Sequence, residues 1–149
     1  MSMFGGMEIS ASALTAQRLR MNVTAENLAN AETTRGANGQ PYRRKEVVLQ
    51  AAPQSGGFGA QLNAAMGGGS GTAPGGVEVA AVTEDQTNGK LVYDPSHPDA
   101  NAQGYVRMPN VDTVTEMVDL IDSQRAYEAN VTAMSASKQM FAKTLDLLR

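Results

Sequence analysis

The chain has 149 residues, a formal net charge of −3, no cysteine and no tryptophan, and only 5% aromatic residues. That length holds one ordinary domain, and the composition excludes disulfides, thiolate chemistry and a dense aromatic core. The charge is uneven: residues 1–45 carry six basic and three acidic side chains, residues 46–149 six and twelve.

The opening "MSMFGGMEISASALTAQ" has neither a basic n-region nor a continuous apolar stretch, so it does not read as an ordinary secretory signal. No apolar run reaches the ~18–20 residues that span a bilayer. A helix is predicted over Met7–Asn30. Met7, Leu14, Met21 and Leu28 recur every seven residues, and Ile9, Ala13, Ala16 and Val23 form a second, weaker stripe. Such a repeat keeps one seam facing a partner as helices supercoil. The seam is thin and rich in small residues, which lets other backbones come near. Within "NVTAENLANAETT", the amides of Asn22, Asn27 and Asn30 add donors and acceptors suited to a crowded interface. Asn30 also fits a helix C-cap.

From Thr33 to Pro109 the pattern is irregular and strand-leaning. Arg43, Arg44 and Lys45 form the only basic run, which reads as a solvated entry to a strand. With no aromatic platform beyond Tyr42, nucleic acid is not a predicted partner. Short β-type runs follow at "KEVVLQ" (45–50), "VEVAAV" (77–82), "KLVY" (90–93) and "GYVRM" (104–108). Between the first two, residues 53–76 hold nine glycines, two prolines and no charge, which predicts a flexible loop. Asp94, His97 and Asp99 in "DPSHPDA" invite a metal reading, but the chain has a single histidine and no second ligand cluster. That loop reads instead as a subunit contact. No Ser–His–Asp constellation or phosphate-cradling glycine motif is visible. No catalysis, metal, cofactor or small-molecule substrate is therefore expected.

A long helix is predicted from Asp112 to Arg149. Met117, Leu120, Gln124, Tyr127, Val131 and Met134 continue through Lys138, Phe141, Leu145 and Leu148 in alternating steps of three and four. Thr113 and Glu116 fit a capping box. About 36 residues make a rod of ~54 Å, too long to be covered by a small β region. Val111, Val114, Val118 and Ile121 add a second apolar stripe beside the first. One partner helix cannot cover both, so further neighbours are expected. Arg125, Tyr127, Glu128 and Asn130 in "RAYEAN" read either as register-setters between subunits or as an exposed face with an Arg125–Glu128 pair.

The architecture these patterns imply is α+β: antiparallel N- and C-terminal helices forming a coiled-coil layer, with a small irregular β module between them. The divisions fall at 1–32, 33–109 and 110–149. A structural polymer subunit fits best. The other reading is an interaction module, such as a secreted coiled-coil adaptor or an export chaperone that binds one partner helix.

Two stretches sharpen this. "MNVTAENLANAETTRG" (21–36) resembles the N-terminal signature of bacterial flagellar rod and hook proteins, and "EMVDLIDSQRAYEANVTAM" (116–134) resembles their C-terminal signature. "PYRRKEVVLQ" (41–50) and "VYDPSHPDANAQGYVRMPNV" (92–111) are similar to the proximal-rod branch of that family. The resemblance implies an axial protein exported through the flagellar type III apparatus without a Sec signal. It would polymerise with other copies of itself and other rod proteins into the shaft that crosses the periplasm and carries motor torque. It also implies that both terminal helices lie in the inner layer of that rod, with the β module outside.

Overall fold

The computed structural model of the protein describes residues 3–36, 38–52 and 75–147. In chain order the elements are α1 (Met3–Ala29), β1 (Lys45–Ala51), β2 (Val77–Glu84), β3 (Leu91–Tyr93), β4 (Tyr105–Arg107) and α2 (Thr113–Leu147). A helix stands at each end, with two separate two-stranded antiparallel sheets between them, β1–β2 and β3–β4. The four predicted strand runs agree with these to within two residues. Of the glycine-rich segment expected to be flexible, all but residues 75 and 76 lies outside the described residues, as does Leu148.

Local chemistry sets the helix ends. Asp112 caps α2: its Oδ1 accepts the Val114 N–H at 3.2 Å, its Oδ2 the Thr115 hydroxyl at 3.1 Å, and its carbonyl the Glu116 N–H at 3.0 Å. The expected capping box at Thr113 and Glu116 is not formed, because Asp112 does that work and the Glu116 carboxylate turns inward. At the other junction Asn30 ends α1, its amide donating to the Glu26 carbonyl at 2.9 Å and its Oδ1 accepting the Thr33 hydroxyl. This is the terminating role its position suggested.

Asn27, in the last turn of α1, bonds Glu116 in the first turn of α2. The two helices therefore pack side by side in opposite directions. From α1 the buried residues are Ala16, Val23, Thr24 and Asn27; from α2 they are Glu116 and Ser123. The weaker stripe of α1 thus faces inward, and continuing it four residues past Val23 lands on Asn27. Met7, Leu14, Met21 and Leu28 stand on the flank, half-buried.

Within the subunit the seam drawn on α2 divides. Leu120, Tyr127 and Met134 lie half-buried on the inner side. Met117, Gln124, Val131 and Lys138 point outward, Met117 and Val131 being 49% and 43% exposed, and their expected places are taken one residue earlier by Glu116, Ser123, Asn130 and Ser137. Neighbouring residues on a helix stand about 100° apart. With small side chains on α1, the close approach suits small or hydrogen-bonding residues better than Met and Val.

The β1–β2 hairpin lies along α1. Lys45 sits against Asn27, and at the far end the Val77 N–H donates to Ser12 Oγ at 3.0 Å. Gly76 makes this approach possible, since a Cβ there would overlap Ser12 Oγ. A bulge between Val48 and Leu49 leaves Ala80 without a cross-strand partner, and Val47 is buried. In the second hairpin Val106 is buried at 2% exposure while Tyr93 meets Tyr105 edge to face at 5.2 Å. Gly104 turns the chain into β4 at φ +80°. No described helix is long and apolar enough to cross a membrane.

Candidate functional site

The helix junction is built around polar groups. Asn27 is 1% exposed, and its side chain uses its whole hydrogen-bonding capacity. Nδ2 donates to the Lys45 carbonyl at 2.8 Å and to Glu116 Oε2 at 3.0 Å. Oδ1 accepts the Lys45 N–H and the Tyr42 hydroxyl, each at 2.9 Å. Glu116 is equally buried, and its other oxygen takes the Arg44 Nε–H. Arg44 also reaches Asp119 at 3.3 Å, while its backbone N–H donates to Asn110 Oδ1 at 2.8 Å. Asn110 in turn donates to Thr87 Oγ1 at 3.1 Å. One connected network thus ties α1, the approach to β1, the β2–β3 connection and α2.

Electrostatics follow from this packing. The hydrogen bond to Glu116 holds the Arg44 guanidinium above its usual range, against the opposing effect of burial. Burial pushes the Tyr42 phenol up to about 12, helped by the carboxylates of Glu26, Glu116 and Glu84. Lys45 pairs with Glu26 and stands 5.8 Å from the Tyr42 ring centroid. A buried carboxylate is tolerated only where donors surround it, and here they do.

Of the residues marked from sequence, only Asn27 enters this network. Asn22 is exposed. Asn130 is half-buried, its amide bonded to the Ala126 carbonyl of its own helix at 2.8 Å. Arg125 and Glu128 are exposed and do not pair; Glu128 takes the Gln124 amide at 3.5 Å instead. Phe141 and Leu145 are 39% and 53% exposed. Leu148 lies outside the described residues. Sequence reasoning missed Tyr42, Arg44 and Glu116 as partners, reading them as a solvated basic run and a cap. A readable signal did exist: polar Asn27 prolongs an apolar stripe, so it needs a buried partner.

The Asp94–Asp99 loop is organised by its own hydrogen bonds. Asp94 accepts the Ser96 hydroxyl and N–H, which hold its carboxyl below the usual range. His97 Nδ1 accepts the Asp99 N–H at 3.1 Å, and Asp99 accepts the Thr34 hydroxyl at 2.8 Å and pairs with Arg35 at 3.6 Å. Among the described residues no three His, Cys, Asp or Glu side chains are gathered as metal ligands.

Comparison with known proteins gives a consistent pattern. Residues 7–37 match the family described as "Flagella basal body rod protein", and residues 102–147 match "Flagellar basal body rod FlgEFG protein C-terminal". The chain is 55% identical to the flagellar basal-body rod protein FlgC of Bacillus subtilis, covering 99% of each. It is 48% identical to FlgC of Escherichia coli O6:H1, covering 99% of this chain and 98% of that one. Against FlgC of Aquifex aeolicus identity is 38%, covering 98% and 97%.

Proposed function

This chain belongs to the FlgC family of flagellar basal-body rod proteins, and from that premise we propose that it is a structural subunit of the rod, assembling with other rod proteins of the basal body. The end-to-end match to FlgC relatives carries this reading. No catalytic step is part of it.

Several finer points belong to the same proposal. The subunit sits in the proximal rod and polymerises into the drive shaft that crosses the periplasm and transmits torque. It reaches that place through the flagellar export apparatus without a Sec signal. Its packing surface includes the flank of α1 (Met7, Leu14, Met21, Leu28, with Asn22) and the outer and distal faces of α2 (Met117, Arg125, Glu128, Val131, Phe141 and Leu145); Leu148, outside the described residues, is assigned to it from the sequence alone. The exposure of Met117, Val131 and Leu145 supports this, since apolar side chains on a helix of this length gain by covering from neighbours. Asn27, Asn30, Leu120, Tyr127, Asn130 and Met134, by contrast, serve first to hold the subunit's own helices. The divisions at 1–32, 33–109 and 110–149 become a helical layer and an outer module of two hairpins.

Expression in a flagellated bacterium lacking its own FlgC tests the proposal. The chain is expected in purified basal bodies and should restore swimming. A chain secreted normally but absent from basal bodies would contradict it.

A further inference from the structure

The pair Asn–Gly occurs twice in the chain, at Asn38–Gly39 and Asn88–Gly89. The pair is chemically unstable, because without a Cβ on the second residue its nitrogen approaches the asparagine Cγ unhindered. Both asparagines are exposed, so solvent access does not distinguish them. Their hydrogen bonds do. The Gly39 N–H donates to the Gly36 carbonyl at 3.0 Å, and the Gly36 N–H donates to the Gln40 carbonyl at 2.8 Å. Among the described residues the Gly89 N–H has no acceptor and the Asn88 amide no partner. The attacking nitrogen is tied down in one pair and open to attack in the other.

Packing fixes the glycine at 89, since a Cβ there would overlap the Met108 carbonyl. On either side of this link the chain is pinned to the segment that leads into α2. Thr87 Oγ1 accepts the Asn110 amide at 3.1 Å, and the Lys90 carbonyl accepts the Met108 N–H at 2.9 Å. Asn88 is therefore an exposed residue between two anchors on one neighbouring segment.

We propose that Asn88–Gly89 is a site of spontaneous deamidation, preferred over Asn38–Gly39, and that its isoaspartyl product loosens the approach to α2. The Gly89 nitrogen gives its proton to solvent base and bonds to Asn88 Cγ. The side-chain nitrogen takes up a proton and leaves as ammonia, and a five-membered cyclic imide remains. Water then opens the ring. Breaking the bond from Gly89 N to Cγ gives aspartate; breaking the bond from Gly89 N to the main-chain carbonyl carbon of Asn88 gives isoaspartate. Overall one water is consumed and one ammonia released, with no change of oxidation state. In isoaspartate the main chain runs through Cβ and Cγ and is longer by one carbon–carbon bond, about 1.5 Å. With Thr87 and Gly89 both held against residues 108–110, that length must displace an anchor. Losing the Thr87 bond would release Asn110, whose Oδ1 accepts the Arg44 N–H at 2.8 Å.

Incubating the folded full-length chain at mildly alkaline pH, with peptide mapping by mass spectrometry, tests the site. The mass gain of amide to acid should appear at Asn88 several-fold faster than at Asn38. The two rates should converge in urea, where the Gly39 N–H loses its acceptor. Equal rates in the folded chain, faster conversion at Asn38, or a preference for Asn88 that persists unchanged in urea would each overturn the assignment. The consequence is tested on isoaspartyl chains separated by chromatography. They should unfold at lower urea concentration than Asn88→Asp, which has the charge without the extra carbon. Asn88→Gln, which would have to close a six-membered ring, should keep its urea midpoint through the same incubation. An isoaspartyl chain as stable as Asn88→Asp, or an Asn88→Gln chain that weakens as fast as the wild type, would overturn the loosening.

Discussion

The two halves of α2 live in different surroundings. In its first three turns Glu116 and Ser123 are buried, and Glu116 is shared between Asn27 and Arg44. In its last turns Met140 and Leu145 are 56% and 53% exposed. There the hydroxyls of Thr132, Ser137 and Thr144 bond carbonyls four residues back in their own helix. The first half is fixed by long-range bonds to two other segments; from 131 to 146 Met134 and Ser137 alone are half-buried and the other residues are exposed. An isolated helical stretch is marginal in water, so the distal half is the part that neighbouring subunits must complete. The same chain thus carries a finished joint and an unfinished one.

Substitutions should separate the two. Glu116→Ala should have the largest effect on the isolated chain, about 4 kcal/mol of unfolding free energy in urea, because it leaves the Arg44 guanidinium with Asp119 alone and strands one Asn27 donor. Asn27→Ala should cost about 3 kcal/mol, since the Tyr42 hydroxyl and both Lys45 backbone groups lose their partner. The pair should be far from additive, because both belong to one network. Gly76→Ala should cost about 2 kcal/mol by forcing β2 away from Ser12.

Alkaline pH probes the same joint. The Tyr42 phenol ionises near 10.0 when unfolded but is held at about 12 in the folded chain. Above pH 10 the unfolded state gives up this proton first, so the contribution of Tyr42 to stability is complete below that pH and is lost as pH climbs through about 12. Tyr42→Phe should flatten that part of the stability–pH curve. At the other extreme, Leu145→Asp should shift the stability of the isolated chain by no more than about 0.5 kcal/mol. It should nevertheless prevent incorporation into rods without preventing export. A Leu145→Asp chain that enters rods normally would place the unfinished joint elsewhere. Leu120→Asp should do both kinds of damage, because Leu120 lies on the inner side of α2.

How much of this could be read from the residues depends on range. Helices and strands were legible because they rest on local periodicity and turn chemistry, and four short strands came out within two residues. The face each helix turns inward was less so. Met7, Leu14, Met21 and Leu28 make the more hydrophobic stripe, yet Ala16 and Val23 are the buried pair. Hydrophobicity ranks what gains by being covered, but within one subunit close approach and hydrogen bonds decide what is covered. The network around Asn27 was hidden for a further reason: Glu116 is 89 residues away along the chain and Arg44 lies in a run that reads as solvated. Nothing local couples them. The resemblance at 21–36 and 116–134 marked both stretches, and put both helices in one layer, without naming the side chains through which they meet.

Hydrogen–deuterium exchange on the isolated full-length chain, repeated on the assembled rod, asks most directly whether α2 is finished at one end and open at the other. Amides from about Glu116 to Ala126 should be protected in dilute solution, while those from Val131 to Leu147 exchange rapidly and gain protection only in the rod. Uniform protection along α2 in the free chain would contradict the account, as would slow exchange of the distal half before assembly.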